Sequence, residues 1–159
     1  MLLGVGVDLL HLARLRAILS RREPARLAAR ILSGEERALW NNLAASPEQS
    51  ERFLALRCVA KQKLSREPHA HLDHDCTRCR WTAKEAAYKA LYPAIVPRWA
   101  DLTVSKQGPK PILSWSTSSP NFVRPPTVDP DRVRLYLSVS HDADLMVAYV
   151  VAELLDERT

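Results

Sequence analysis

The chain has no apolar run long enough to cross a bilayer. Runs such as Leu145 to Ala152 fall far short of the roughly 20 residues that a spanning helix needs, so no membrane partner is expected. No secretory signal is visible either, because a strand pattern begins at Leu2 and Asp8 interrupts it. The three cysteines are an odd count confined to Cys58–Cys79, which argues against a disulfide framework and for a reducing compartment. The cytosol is the expected location, with the mitochondrion as the alternative. Aromatic residues make up only 6% and no recognised nucleic-acid-binding motif occurs, so a nucleic-acid partner is not expected. Glycine is scarce at four residues, and Gly4-Val5-Gly6-Val7-Asp8 lacks the third glycine of a dinucleotide-binding fingerprint. There is no internal repeat.

What is present fits one domain spanning 1–159, with 47% hydrophobic residues to build a core. The net charge is +5, and Arg14, Arg16, Arg21, Arg22, Arg26 and Arg30 crowd the N-terminal third. Such a patch attracts an acidic partner, or it is simply a solvated helical face.

Leu3, Val5, Val7 and Leu9 alternate with Gly4, Gly6 and Asp8, which predicts a strand with one apolar face. The other face is bare at two glycines, leaving room for a bulky ligand, and then carries Asp8. Leu12, Leu15 and Leu19 follow helical spacing, and Pro24 suits the first turn of a second helix ending near Leu32. Ser33 with Glu36 forms a capping box for a third helix, with Ala38, Leu39 and Leu43 inward. A helix is also expected over Arg52 to Leu64. Trp81 to Tyr92 reads as a helix with an apolar stripe of Ala83, Ala86, Ala87, Ala90 and Leu91. Leu102 to Val104 and Pro111 to Trp115 read as strands around the turn Gly108-Pro109-Lys110-Pro111, and Ser116 to Pro130 as a loop. A terminal hairpin joins Leu135–Ser140 to Leu145–Glu153. The expected class is α+β, with helices packed on a small antiparallel sheet.

Two carboxylates stand out. Asp8 ends an apolar strand, and Mg²⁺ is often held by one or two carboxylates with phosphate oxygens and water. Asp8 as a plain helix cap is the competing explanation. Glu85 and Lys89 lie four apart, so their side chains leave the same face of the helix, with Lys84 and Tyr88 as neighbours. As a surface ion pair they are worth only about 0.2–0.5 kcal/mol. The alanine stripe buries the opposite face, which makes the charged face a candidate cleft wall. Ser140-His141-Asp142 is no hydrolase triad, since adjacent strand side chains point apart. His141 is a turn histidine or a contact to phosphate or base. His69, His71, His74, Cys76 and Cys79 supply enough ligands to consider a structural zinc, although one short cluster is a weak signal.

Together these segments resemble the holo-acyl-carrier-protein synthase family of 4'-phosphopantetheinyl transferases. The likeness rests on Gly4-Val-Gly-Val-Asp8, Ile31-Leu-Ser33 with Glu36, Arg52-Phe-Leu-Ala55, Lys84-Glu85-Ala86 with Lys89-Ala90, Gly108 to Pro111, and Leu137-Ser-Val-Ser-His141. The resemblance implies the family fold and an activity. A serine of an apo acyl carrier protein would attack the β-phosphate of coenzyme A, releasing 3',5'-ADP. It implies Asp8 and Glu85 as Mg²⁺ ligands and Lys89 as the group that stabilises charge on the transferring phosphoryl. It leaves the general base open between a metal-bound water and one of these carboxylates. Lys84, Lys110 and His141 are implied as coenzyme A contacts. Arg14 aligns with a carrier-docking arginine, giving the basic helix an acidic partner. Family members of this short type are often trimers with active sites at subunit interfaces, so a homotrimer is an expectation.

The chain departs from the family pattern in two places. The family usually runs from Arg-Phe-Leu-Ala-x-Arg straight into the Lys-Glu-Ala helix, whereas here residues 58–80 intervene between Arg57 and Trp81. That segment holds all three cysteines and three of the five histidines. It is either a genuine loop or a translated intron, and the matching arginines at its ends favour the second. After Leu91 the family often has a Gly-rich turn, where this chain has Tyr92-Pro93 and Pro97. Two other activities stay open on the residues alone: a basic nucleic-acid-binding domain, and another Mg²⁺-dependent nucleotide hydrolase built on the same carboxylates.

Overall fold

The computed structural model describes residues 1–43, 80–107, 110–117 and 121–156. Strands β1 (Leu2–His11), β4 (Val133–Asp142) and β5 (Leu145–Leu154) form an antiparallel sheet of order β1-β5-β4. The terminal hairpin is as expected, turning through Ala143 and Asp144, and β1 adds to its far strand with Gly6 opposite Val150 and Asp8 opposite Ala148. A second sheet pairs β2 (Leu102–Gln107) with β3 (Lys110–Trp115). Helices α1 (Leu12–Arg21), α2 (Pro24–Ile31) and α3 (Gly34–Leu43) follow β1, and α4 (Arg80–Leu91) precedes β2. The expected helix over 52–64 and the His/Cys cluster at 69–79 lie outside the described residues, as does Gly108 of the expected turn. Within that turn Lys110 and Pro111 already belong to β3.

The faces of β1 are the reverse of what its alternation suggests. Gly6 and Leu10 are buried and Asp8 is half-buried, whereas Val5, Val7 and Leu9 are exposed. The reason is α4, which lies directly on the glycine face. A Cβ at Gly6 would sit 1.9 Å from the Ala86 carbonyl oxygen, and one at Gly4 would sit 2.2 Å from that of Ala90. No side chain fits at those distances. The space at Gly4 and Gly6 therefore holds helix backbone and not a ligand. On the helix side Ala83, Ala86, Ala87 and Ala90 are fully buried or nearly so, and their small side chains permit the approach. Together with Leu102, Val104, Leu113, Val133, Leu135, Val150 and others they form one apolar core between the two sheets. A second core joins Leu10, Leu12, Leu15, Leu27, Ile31, Leu32, Trp40 and Met146 under α1 to α3.

Between these cores lies a buried charge cluster. The Ser33–Glu36 capping box forms as expected: the Ser33 amide donates to Glu36 Oε2 at 2.9 Å, and the Glu36 amide donates to Ser33 Oγ at 3.3 Å. Glu36 does more than cap. Lys84 Nζ donates to its Oε2 at 2.5 Å, the Val104 amide donates to its Oε1 at 2.9 Å, and Arg80 Nε stands 3.2 Å from the same oxygen. Lys84 Nζ also donates to the Ile31 carbonyl at 2.7 Å, a cation on the C-terminal end of α2. The inward face of α3 is thus Glu36 and Trp40, one turn apart, while Ala38 and Leu39 face solvent, contrary to expectation. Burial pushes the Lys84 ammonium down to about 8, and the nearby Glu36 charge limits the fall.

Replacing Gly6 with Ala forces a methyl into the Ala86 carbonyl. We expect Gly6→Ala to lose about 1–3 kcal/mol of unfolding free energy in a denaturant titration, the range of overpacked cores. A loss below about 0.5 kcal/mol, typical of a tolerated surface change, would mean that the helix does not approach this closely.

Candidate active site

The seam between β1 and α4 decides which charged groups meet. Asp8 stands two residues beyond Gly6 on the same face of β1. Lys89 Nζ donates to Asp8 Oδ1 at 2.9 Å and to the Val7 carbonyl at 2.9 Å. The Asp8 side chain is only 15% exposed, whereas that of Lys89 is 45% exposed and reaches in from solvent. Glu85 sits one turn before Lys89. Its carboxyl is pushed above its ordinary value, first by burial and then by the charge of Asp8, with Lys89 and Arg14 pulling the other way. Four groups therefore share one electrostatic neighbourhood: two carboxylates, an ammonium and a guanidinium. Arg14 reaches it because β1 runs directly into α1, where His11 Nδ1 accepts from the Ala13 amide at 3.2 Å and caps the helix.

Two mutually repelling carboxylates, one of them half-desolvated, suit a hard divalent cation that completes its shell with phosphate and water. Among the described residues no group of three or more His, Cys, Asp or Glu side chains is placed to hold a metal; Asp8 and Glu85 would offer such an ion hard oxygen donors. Asp8 and Glu85 fit Mg²⁺ on that ground.

Beyond Arg14 the surface opens into a groove of about 500 Å³ between α1 and α2. Arg14, Arg21, Arg22 and Arg30 supply its charge, and Ile18, Leu27 and Trp81 an apolar floor. Trp81 meets Trp99 edge to face, with centroids 5.0 Å apart.

The other expected site residues lie elsewhere. Lys84 is not a ligand contact on the exposed face: its side chain is fully buried, because its ammonium is drawn inward to Glu36 and Ile31. Lys110 is exposed at the start of β3, on a cleft toward β4 that Arg134 and Tyr136 also line. His141 is exposed near the end of β4, separated from Asp8's strand by β5. Sequence reasoning missed the inward role of Glu36 with Lys84. The Ser33–Glu36 spacing announced the cap but not the second partner.

These features describe an α+β scaffold on which a strand and a helix bring two carboxylates, an ammonium and a guanidinium into one neighbourhood. The 4'-phosphopantetheinyl transferase superfamily model matches residues 4–124. The chain is 30% identical over 156 residues to a holo-[acyl-carrier-protein] synthase of Anaeromyxobacter sp. (strain K), covering 96% of this chain and 97% of that protein. It also resembles the crystal structure of a Bacillus anthracis holo-(acyl-carrier-protein) synthase in complex with CoA (3',5'-ADP), with a TM-score of 0.57 and 25% identity over 97% of this chain and 98% of that one. The Plasmodium yoelii holo-ACP-synthase shares the fold at a TM-score of 0.61 and 15% identity, covering 96% and 94% of the two chains. The chain belongs to the 4'-phosphopantetheinyl transferase superfamily.

Glu85 gives a pH-dependent prediction. Its folded-state pKa is raised, so its share of stability is full below the ordinary value of 4.5 and is lost as pH rises through the higher folded value. Glu85→Gln, which mimics the protonated form, should raise the thermal midpoint of the metal-free protein at pH 7. Near pH 4 the two proteins should melt together. A variant less stable than the parent at pH 7 contradicts this.

Proposed function

We propose that this protein transfers 4'-phosphopantetheine from coenzyme A to a serine hydroxyl of an apo acyl carrier protein, releasing 3',5'-ADP. The observation that carries the reading is the meeting of Asp8, Glu85 and Lys89 at the β1–α4 seam, in a chain that belongs to the transferase superfamily. The serine oxygen bonds to the β-phosphorus of coenzyme A as the bond from that phosphorus to the oxygen of 3',5'-ADP breaks, and the serine proton is released. Asp8 and Glu85 would hold the Mg²⁺ ion, which when bound neutralises pyrophosphate charge. Lys89 is the solvent-exposed cation of the site, bonded to Asp8 and Val7 here, and would meet the transferring phosphoryl. Arg14, with Arg21, Arg22 and Arg30 along the same groove, would offer the acidic carrier a docking surface.

The sheet's outer face supports a homotrimer. Val5, Val7 and Leu9 of β1, Tyr149 of β5 and Tyr136 of β4 lie exposed on that one face, with Leu9 at 60%. An apolar patch of this kind marks an interface. In an assembly with sites at subunit boundaries, Lys110 and His141 need not serve the Asp8 of their own chain, and we keep both as proposed coenzyme A contacts. A cytoplasmic location goes with this reading; no helix among the described residues is long and apolar enough to cross a membrane. We read 1–159 as one transferase domain interrupted by the segment about 58–80. Arg80 belongs to the buried cluster, and deleting 58–80 would leave Arg57 in its place before Trp81.

Three measurements test this. Incubated with coenzyme A and Mg²⁺, a competent apo carrier protein should gain the mass of one phosphopantetheine. Asp8→Ala and Glu85→Ala should abolish the gain without unfolding the protein, and Lys89→Ala should cost about 10²–10³-fold in rate, as for a lost charge-stabilising donor. No mass gain at high enzyme would sink the proposal. Light scattering should give three times the chain mass of 17.9 kDa, and Tyr149→Glu should dissociate it; a wild-type monomer refutes the trimer. The protein lacking 58–80 should fold and retain transfer, and a deletion that unfolds it would identify the segment as integral to the domain.

A further inference from the structure

The contacts along the β1–α4 seam form a series. Gly4 faces Ala90 and Gly6 faces Ala86, so two residues along the strand go with four along the helix in the opposite direction. The next pair in the series is Asp8 and Thr82. Thr82 also shares a helix face with Glu85, Ala86 and Lys89, which follow it at helical spacing. It is fully buried, whereas Lys89 reaches in from solvent, so Thr82 stands on the inner side of the charged group.

The Thr82 hydroxyl is unused in this arrangement. Its Oγ1 has no hydrogen-bond partner among the described residues. A buried hydroxyl left unpaired carries its full desolvation penalty, and such a group in a folded protein calls for a reason. Packing supplies none, because valine fills the same shape without the penalty. Helix propensity supplies none either, since threonine ranks well below alanine. The neighbouring carboxylate does supply one. Asp8 Oδ1 accepts from Lys89 Nζ at 2.9 Å, and Lys89 is also the group proposed to meet the transferring phosphoryl. When Lys89 turns to the phosphoryl, Asp8 loses that donor.

We propose that Thr82 is a positioning residue for Asp8: its hydroxyl becomes the donor to the Asp8 carboxylate when Lys89 leaves it, and so keeps Asp8 in place as a Mg²⁺ ligand. This rests on the reading of Asp8 and Glu85 as the metal pair and adds what steadies the first of them. Carboxylates that bind metals are themselves hydrogen-bonded, which fixes their orientation. The change needs no shift of the backbone, because threonine in a helix divides between two χ1 rotamers and rotation about Cα–Cβ re-aims the hydroxyl. A hydroxyl also suits the place better than a second cation. It donates one hydrogen bond and leaves the carboxylate its full charge for the ion.

The test compares Thr82→Val, which removes the hydroxyl and keeps the shape, with Thr82→Ser, which keeps the hydroxyl. Two quantities are measured on the full chain: the thermal midpoint of the metal-free protein, and Mg²⁺ affinity by calorimetric titration in the presence of coenzyme A. Thr82→Val should melt at or above the wild-type temperature, because an unpaired buried hydroxyl is gone. It should bind Mg²⁺ about tenfold or more weakly, the cost of losing a group that orients a metal ligand. Thr82→Ser should bind Mg²⁺ as the wild type does. A merely structural residue would move the midpoint and leave the Mg²⁺ affinity alone. Equal Mg²⁺ affinity in wild type and Thr82→Val overturns the proposal, as does a wild type that binds no Mg²⁺. A Thr82→Val protein that melts lower or fails to fold overturns it too, since the hydroxyl would then already have a partner. The carrier mass assay, run alongside, keeps the two readings apart. Transfer with Thr82-independent Mg²⁺ binding removes only the role of Thr82, and Thr82-dependent Mg²⁺ binding without any transfer removes only the transferase reading.

Discussion

Contact between the backbone of α4 and the backbone of β1 at Gly4 and Gly6 is the constraint on which the rest depends. Two residues along a strand advance about 6.7 Å, and four along a helix about 6 Å. The steps nearly match, so Gly4, Gly6 and Asp8 run along the helix as Ala90 and Ala86 pass in the reverse order. Glu85 and Lys89 flank that seam, and the first strand residue with a side chain able to meet them is Asp8. The site is thus a consequence of where the glycines stop. With larger residues at 4 and 6 the helix would stand off the sheet, and the 2.9 Å bond from Lys89 to Asp8 could not form.

A second constraint fixes the rotation of α4. Lys84 lies on a different side of the helix from Glu85 and Lys89, and it is tied inward to Glu36 and to the end of α2. That tie turns the other two outward along β1. Buried ion pairs gain little net stability, because desolvation offsets the attraction, while removing one partner typically costs about 3–5 kcal/mol. The Glu36 cluster is better understood as a specifier than as a source of stability. Its carboxylate joins α3, α4 and β2 through bonds to Lys84, Ser33 and Val104, and few other arrangements would satisfy all of them.

Much of this was legible in the sequence. The alanine stripe, the capping box and the terminal hairpin rest on local spacing, which the folded chain preserves, whereas the grouping of Asp8 with Glu85 and Lys89 spans some 80 residues and was legible only through the family resemblance. What could not be read was which way a residue faces when both faces are apolar or both are charged. Val5, Val7 and Leu9 look like a core face by alternation. The core instead lies on the glycine side, because close helix packing rewards the absence of a side chain. Lys84 looks like a member of an exposed charged face. It is interior because its partner Glu36 lies 48 residues away in the chain, beyond the reach of any periodicity.

Arg14 links the two halves of the surface. Its charge is felt at Glu85, and its side chain also lines the groove of arginines and tryptophans between α1 and α2. An acidic partner in that groove competes for the guanidinium that offsets the carboxylates. A partner that drew Arg14 away would leave Asp8 and Glu85 with Lys89 as counter-charge at the seam, and their mutual repulsion would grow. The pull of the pair on a divalent cation would grow with it. Were the groove and the carboxylate pair both to bind their ligands, Arg14 is the side chain through which the two would be coupled, and by linkage that coupling would run in both directions.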